Sequence, residues 1–276
     1  MKRLIVCADD FGLDPAVNEA VEEAHRRGIL STASLMVAAP AAADAVARAR
    51  RLPGLGVGLH LVLVDGRPLL AEPGCGLVRA DGEFDRNLGR AALRIALSPG
   101  ARRHLAREIR AQFEAFCATG LQLDHVNAHK HMQLHPSVAR LIIAIGGAYG
   151  MRAVRVPDEP LAPLRRAFPG ERYAPPLYRP WVRALRRRLA RAGLYSNDHL
   201  FGIAWSGSMV EERVLRLLPH LPDGVSEIYF HPAAEAGGGA VRGYRRREEL
   251  AALLSPHLRR RLAELGIALS RYGDLA

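Results

Sequence analysis

The chain has 276 residues, 49% of them hydrophobic, enough for a large core, and no 18-residue apolar stretch that would mark a membrane-spanning helix. Its formal net charge is +11, carried almost wholly by arginine, since Lys2 and Lys130 are the only lysines; this reads either as arginine-biased composition or as a basic face for acidic substrates, nucleic acid or anionic lipid. No zinc finger, RNA-binding motif or basic heptad region is present to read nucleic acid, and Cys7, Cys75 and Cys117 are too scattered for a disulfide framework, so with no secretory leader pattern a reduced, cytoplasmic protein is expected.

In chain order, residues 4–8 form an apolar run of buried-strand length that ends on two adjacent acids, Asp9 and Asp10, held by Phe11-Gly12. Paired acids at a strand end are expensive unless a cation or a reaction uses them. Asp14-Pro15 starts a helix, a capping side chain before a proline, and Gly28 stops it. A second strand is predicted over 32–38, an alanine-rich helix over 40–52, and a third strand over 55–59 that delivers His60. Residues 61–99 carry turn signals and read as a long excursion or lid over the site. A helix over 101–119 keeps Leu105, Ile109, Phe113 and Phe116 on one face and ends at Gly120.

A fourth strand over 121–126 leads into a histidine-rich stretch, then a helix over 136–149 and a fifth strand over 152–156. Residues 157–180 read as a loop. The helix predicted over 181–192 sets Trp181, Val182, Leu185 and Leu189 against Arg183, Arg186, Arg187, Arg188 and Arg191. Strands follow over 200–204 and 226–230, separated by a helix over 210–218, and the second ends in His231-Pro232. The glycines at 237–239 read as a flexible loop, followed by helices near 245–254 and 256–265 and a short strand over 267–269. This alternation implies a parallel sheet with helical crossovers. Seven or eight units without a dinucleotide-binding glycine fingerprint favour one α/β domain over 1–276, a (β/α) barrel, rather than a doubly wound sheet.

In such a barrel the C-terminal strand ends open onto one face, where Asp9, Asp10, His60, His129, His131, Arg155 and His231 would converge. One aspartate and two histidines are a common divalent-metal set. A second carboxylate beside the metal can take a proton from water, so an adjacent acid pair divides that work. Each piece alone has a plainer reading: Asp-Asp as a turn or cap, and His60 or His231 as an ordinary packed histidine. His125, His129, His131 and His135 are harder to explain by packing, being four histidines in eleven residues, with His135 placed to begin a helix and His125 to sit in the strand behind the ligands. The cysteines lie away from the other strand ends or within a strand and read as incidental.

The sequence resembles the YdjC-like carbohydrate deacetylase family. The resemblance is carried by Ala8 to Gly12, Asn18, the stretch Ser31-Thr32-Ala33-Ser34-Leu35-Met36, Gly58-Leu59-His60, the segment from His125 to His131, and His231-Pro232, all in family order. It implies a distorted (β/α) barrel of about seven parallel strands related to the polysaccharide deacetylases. It also implies one divalent metal, magnesium or zinc, held by Asp10, His60 and His129, with Asp9 as catalytic base and His231 as acid or transition-state partner. The family's Asp-Ser is Asn127-Ala128 here, and the run from Asn127 to Pro136 is similar to a hopanoid-biosynthesis-associated branch linked to deacetylating an N-acetylglucosaminyl hopanoid lipid.

The expected activity is therefore hydrolysis of the N-acetyl group of an amino sugar or glycolipid, with Arg155 and His131 contacting substrate. A metal-dependent glycosidase or phosphoesterase on the same scaffold is the alternative within enzymes, although a glycosidase should place two acids on opposite sides of its substrate. A non-catalytic sugar or glycolipid binding protein is the alternative outside them. The arginine-rich helix reads either as packed on the barrel with a solvated basic face or as a peripheral contact with anionic inner-membrane lipid, and a homodimer is a further expectation.

Overall fold

The computed structural model describes residues 2–70, 76–235 and 243–275, so Cys75 and the glycines at 237–239 lie outside the described residues. Its strands are β1 (Lys2–Phe11), β2 (Thr32–Leu35), β3 (Gly56–Leu61), β4 (Leu123–Ala128), β5 (His199–Phe201), β6 (Gly224–Phe230) and β7 (Ala268–Leu269). They pair in the order β4-β3-β2-β1-β6-β5, all parallel, with β7 joining β1 off that path. The sheet curls into a distorted barrel whose helices pack outside.

The expected fifth strand is reduced to isolated bridges between β4 and β5. Val126 bridges Val154 and Ala153 bridges Tyr195, with Arg155 N donating to the Val126 carbonyl at 3.0 Å. Pro157 has no N–H to extend that ladder. The Asn197 side chain stands in for it, accepting from Val156 N at 2.7 Å and donating to Val156 O at 2.9 Å.

The helices follow from their end signals. Asp14 caps α1 (Pro15–Arg27), its side chain accepting from Val17 N at 2.9 Å. α2 (Ala42–Ala49) is shorter than predicted. Residues 61–99 are not simply a lid: they contain α3 (Leu88–Leu97), capped by Asn87, and Ser98 caps α4 (Pro99–Ala118) directly behind it. The segment before α3 is tied down where the buried Glu108 of α4 accepts from Leu69 N and Leu70 N at 2.9 and 2.8 Å.

α5 (Pro136–Gly146) starts at a His135 cap, as the proline predicts. α6 (Leu161–Ala167) lies inside the segment read as loop, and α7 (Arg179–Arg191) begins two residues early. Val182, Leu185 and Leu189 of α7 are buried, so its apolar face is used on the barrel and is not free for a lipid surface; only Trp181 stands out, 47% exposed. α8 (Glu211–Leu217), α9 (Arg246–Leu254) and α10 (Pro256–Glu264) complete the shell. Among the described residues no helix is long and apolar enough to cross a membrane.

Along β1, Leu4, Val6 and Ala8 face the main core under the helices, while Ile5 and Cys7 join two small clusters inside the barrel. This is the alternation of a strand buried on both faces. The inward positions are partly polar, and they lead to the site.

Candidate metal centre at the barrel mouth

Strict alternation would send Asp9 and Asp10 to opposite faces. The β1–β2 register shifts between Ala8 and Phe11, and Asp10 has a left-handed φ of 65°. This bulge brings both carboxylates to the mouth. Asn18 holds the turn, its Oδ1 accepting from Gly12 N at 2.8 Å while its Nδ2 donates to Ala41 O at 2.9 Å.

Asp10 is 3% exposed, and its Oδ1 lies 3.6 Å from His60 Nε2 and 3.5 Å from His129 Nδ1. One ligand atom from each of the three residues falls within 4.8 Å of the others. Asp10 Oδ1 and His60 Nε2 are buried with no hydrogen-bond partner, the condition expected of atoms shaped for a cation. Burial alone would raise the Asp10 carboxyl, but the imidazoles beside it, His129 foremost, outweigh this and hold it well below the usual range. Burial pushes the His60 imidazole down. An ionised carboxylate with a neutral imidazole is the protonation state a divalent metal requires, and one oxygen with two nitrogens is a donor set of the kind zinc accepts.

Asn127 supports this set. Its Oδ1 takes the Nδ1 hydrogen of His60 at 2.7 Å, which leaves Nε2 turned toward Asp10. Its Nδ2 donates to Asp9 Oδ1 at 3.2 Å and to Ser34 Oγ at 2.9 Å. A carboxylate here would lack that donor, so Asn127 is not an empty replacement: it ties His60 to Asp9.

Asp9 is 3% exposed and bound bidentately by Arg155, with Nη1 at 2.6 Å from Oδ2 and Nη2 at 2.9 Å from Oδ1. Burial would raise its carboxyl, but the Arg155 guanidinium overrides this and holds it well below the ordinary value. Arg155 does not reach the mouth. It is fully buried beneath Asp9, and its Nε and Nη2 also donate to Glu227 Oε1 at 2.9 and 2.6 Å.

After β4, Lys130 and His131 take left-handed φ of 52° and 55°, a kink that lets His129 face Asp10 while His131 turns toward Tyr229, ring to ring at 5.6 Å. Burial, then the Arg155 charge, pushes the His131 imidazole down to about 3. His231 follows β6, 8% exposed, with its ring between Tyr229 and Tyr244 and its Nδ1 unpartnered. Its backbone N donates to the buried Glu249 at 2.5 Å.

Asp10, His60 and His129 thus meet, with Asp9 and His231 close enough to shift the same charges. Sequence reasoning missed Glu227 and Tyr272, whose hydroxyl donates to Glu227 Oε2 at 2.5 Å. An acid in the otherwise apolar β6 was the available signal for Glu227, since charges are rarely buried unpaired; Tyr272 offered none.

A carbohydrate deacetylase of Geobacillus stearothermophilus is 33% identical over 275 residues, covering 98% of this chain and 96% of that protein. A chitooligosaccharide deacetylase of Serratia marcescens is 32% identical, covering 99% of each. A crystal structure of an Enterococcus faecalis V583 protein superposes with a TM-score of 0.73 at 23% identity, covering 100% of this chain and 99% of that one, a likeness of fold. The family model described as YdjC-like protein matches residues 3–264, and the chain belongs to that family.

Proposed function

We propose that the protein is a metal-dependent hydrolase that removes the acetyl group from an N-acetylated amino sugar. The observation that carries this reading is the orphaned Asp10–His60–His129 set beside a second, separately paired acid. The full-length relatives named as carbohydrate and chitooligosaccharide deacetylases point to the same substrate class. Asp10, His60 and His129 would hold one divalent ion, magnesium or zinc. Such an ion polarises a carbonyl and acidifies water.

The chain's own groups divide the remaining work. Asp9, kept ionised by Arg155, is the proton acceptor for the attacking water. Glu227 shares the charge of Arg155, so that Asp9 is not its sole counter-ion. Arg155 is therefore assigned to orient Asp9, in place of the substrate contact expected from the sequence. His231, with a free Nδ1 at the mouth, is the donor to the leaving amine, and His131 contacts substrate.

The finer reading is a glycolipid substrate such as an N-acetylglucosaminyl hopanoid. An apolar groove of about 400 Å³ begins at His131 and is lined by Leu88, Met132, Leu134, Tyr178 and Trp181. With His131 in its wall, it offers an apolar surface on which an aglycone could lie. Trp181→Ala should raise KM for an alkyl-linked N-acetylglucosaminide several-fold more than for a soluble chito-oligomer.

Acetate release from N-acetylglucosamine conjugates, with and without chelator, tests the main proposal. Asp9→Asn should retain metal and lose at least about 100-fold in kcat, while His60→Ala should lose metal. Metal retained in full by His60→Ala would sink the ligand assignment. Sugar binding without acetate release from any conjugate would favour the non-catalytic alternative.

A further inference from the structure

Arg246 opens α9 and is only 5% exposed, yet none of its three guanidinium nitrogens has a hydrogen-bond partner. Its ion pair with Asp14 is long: Asp14 Oδ2 stands 3.8 Å from Nη1 and is itself unpartnered. The other Asp14 oxygen is occupied in capping α1. A guanidinium taken out of water without acceptors costs several times more than one fully bonded. The fold nonetheless holds it firmly. Ala233 N donates to the Arg246 carbonyl at 3.4 Å, and one turn along α9 Glu249 accepts from Met209 N at 2.7 Å and from His231 N at 2.5 Å. Arg246 and His231 therefore ride on one frame.

Arg246 also lines a cleft of about 320 Å³ that contains Asp10 and His129, two of the three candidate ligands. The remaining wall is apolar at Leu13, Met36 and Val62 and charged at Asp65, Arg67 and Glu83, none of which bonds the Arg246 guanidinium. The volume is at the lower end of the range for small-ligand pockets and gives room for a single sugar ring. A pyranose has what this cleft lacks: hydroxyl oxygens at its edge for a donor-only guanidinium, and C–H faces for apolar walls. The unpaired nitrogens of Arg246 stand in the same relation to the site as the unpaired atoms of Asp10 and His60. In both cases the missing partner belongs to something that enters the mouth.

We propose that Arg246 is a specificity-determining substrate contact, its guanidinium donating to hydroxyl oxygens of the sugar that carries the acetamido group, within the cleft it shares with Asp10 and His129. This rests on the sugar-deacetylase reading above, and the test separates the two. Binding of N,N′-diacetylchitobiose (chitobiose for short, always in its diacetylated form) to the metal-loaded protein is measured by calorimetry, and acetate release is measured from it and from acetanilide, an amide without hydroxyls. Arg246→Met, which keeps an apolar stem, should weaken chitobiose binding about 10- to 100-fold, the range for hydrogen bonds to a charged group. It should lower the ratio of kcat/KM for chitobiose over acetanilide by the same factor, mainly through KM. Arg246→Lys should recover part of the loss and carries the comparison if Arg246→Met does not fold. An unchanged ratio, or unchanged chitobiose binding, overturns the proposal, as does a wild-type protein that does not bind chitobiose. Wild-type binding without acetate release would overturn the deacetylase reading instead, and a weakened Arg246→Met would still support the contact.

Discussion

Asp9 and Asp10 are neighbours in sequence and opposites in surroundings. Asp9 is closed in by a bidentate arginine and an amide, whereas Asp10 faces two imidazoles at 3.5 and 3.6 Å, just beyond good hydrogen-bond contact. In the function proposed above, that difference suits Asp9 to proton transfer and leaves Asp10 open to a cation. Asn127 is the residue between them. Asn127→Leu, which keeps the branch at Cγ but has no polar atoms, should free the His60 ring and lower metal affinity about 10- to 100-fold. Titration of the apoprotein with zinc against a competing chelator reads this, and an unchanged affinity would mean that the His60–Asn127 bond does not orient the ligand. The convergence of acids and histidines was legible because each closes a strand, whereas the choice of Asp10, His60 and His129 among them came from the family resemblance. The partners of Asp9 were less so, because Arg155 was read as facing substrate.

At the scale of elements, the strand ends align because β3 and β4 approach closely. A Cβ on Gly58 would lie 2.5 Å from the His125 ring, which is itself stacked on Tyr272 with centroids 4.6 Å apart. Gly58→Ala should therefore force the buried ring aside and lower stability by about 1–3 kcal/mol, the usual cost of overpacking. Urea denaturation of the variant checks this. Most helices and strands were legible from caps, prolines and periodicity: Asp14-Pro15, His135-Pro136 and the buried apolar run of β1 all took their predicted form. The segment over 152–156 and the stretch before α3 take their form from distant neighbours, Asn197 for the first and Glu108 of α4 for the second, while the Asn87 cap of α3 was a local signal passed over among the turn residues around it.

At the scale of the molecule, the last residues complete the barrel interior. Tyr272 reaches Glu227, which holds Arg155, which holds Asp9, so a chain of buried polar groups joins the C-terminal segment to the mouth. Tyr272→Phe should cost about 1–3 kcal/mol of stability, since it leaves a buried carboxylate one donor short; the melting midpoint measures it. The same network sets the acid limit. Asp9 ionises in the folded state far below its unfolded value because of Arg155, so its contribution to stability is present above about pH 4 and is lost as pH falls further, through the folded value. The unfolding free energy should decline below about pH 4, and Asp9→Asn should make that decline shallower. An equal slope in both proteins would place the acid sensitivity elsewhere.

The sequence alone determined the alternation of strands and helices, the presence of acids and histidines at strand ends, and the family, because these depend on local periodicity and on short motifs in order. Only the tertiary structure decided which polar atoms are satisfied. It buried Arg155 behind Asp9, made Asn127 a bridge, covered the apolar face of α7 and left Arg246 without acceptors. Hydrogen-bond satisfaction is a property of groups far apart in the chain. The opening pair, Asp9 and Asp10, acquires its two different environments only when segments 146 and 50 residues away close around it.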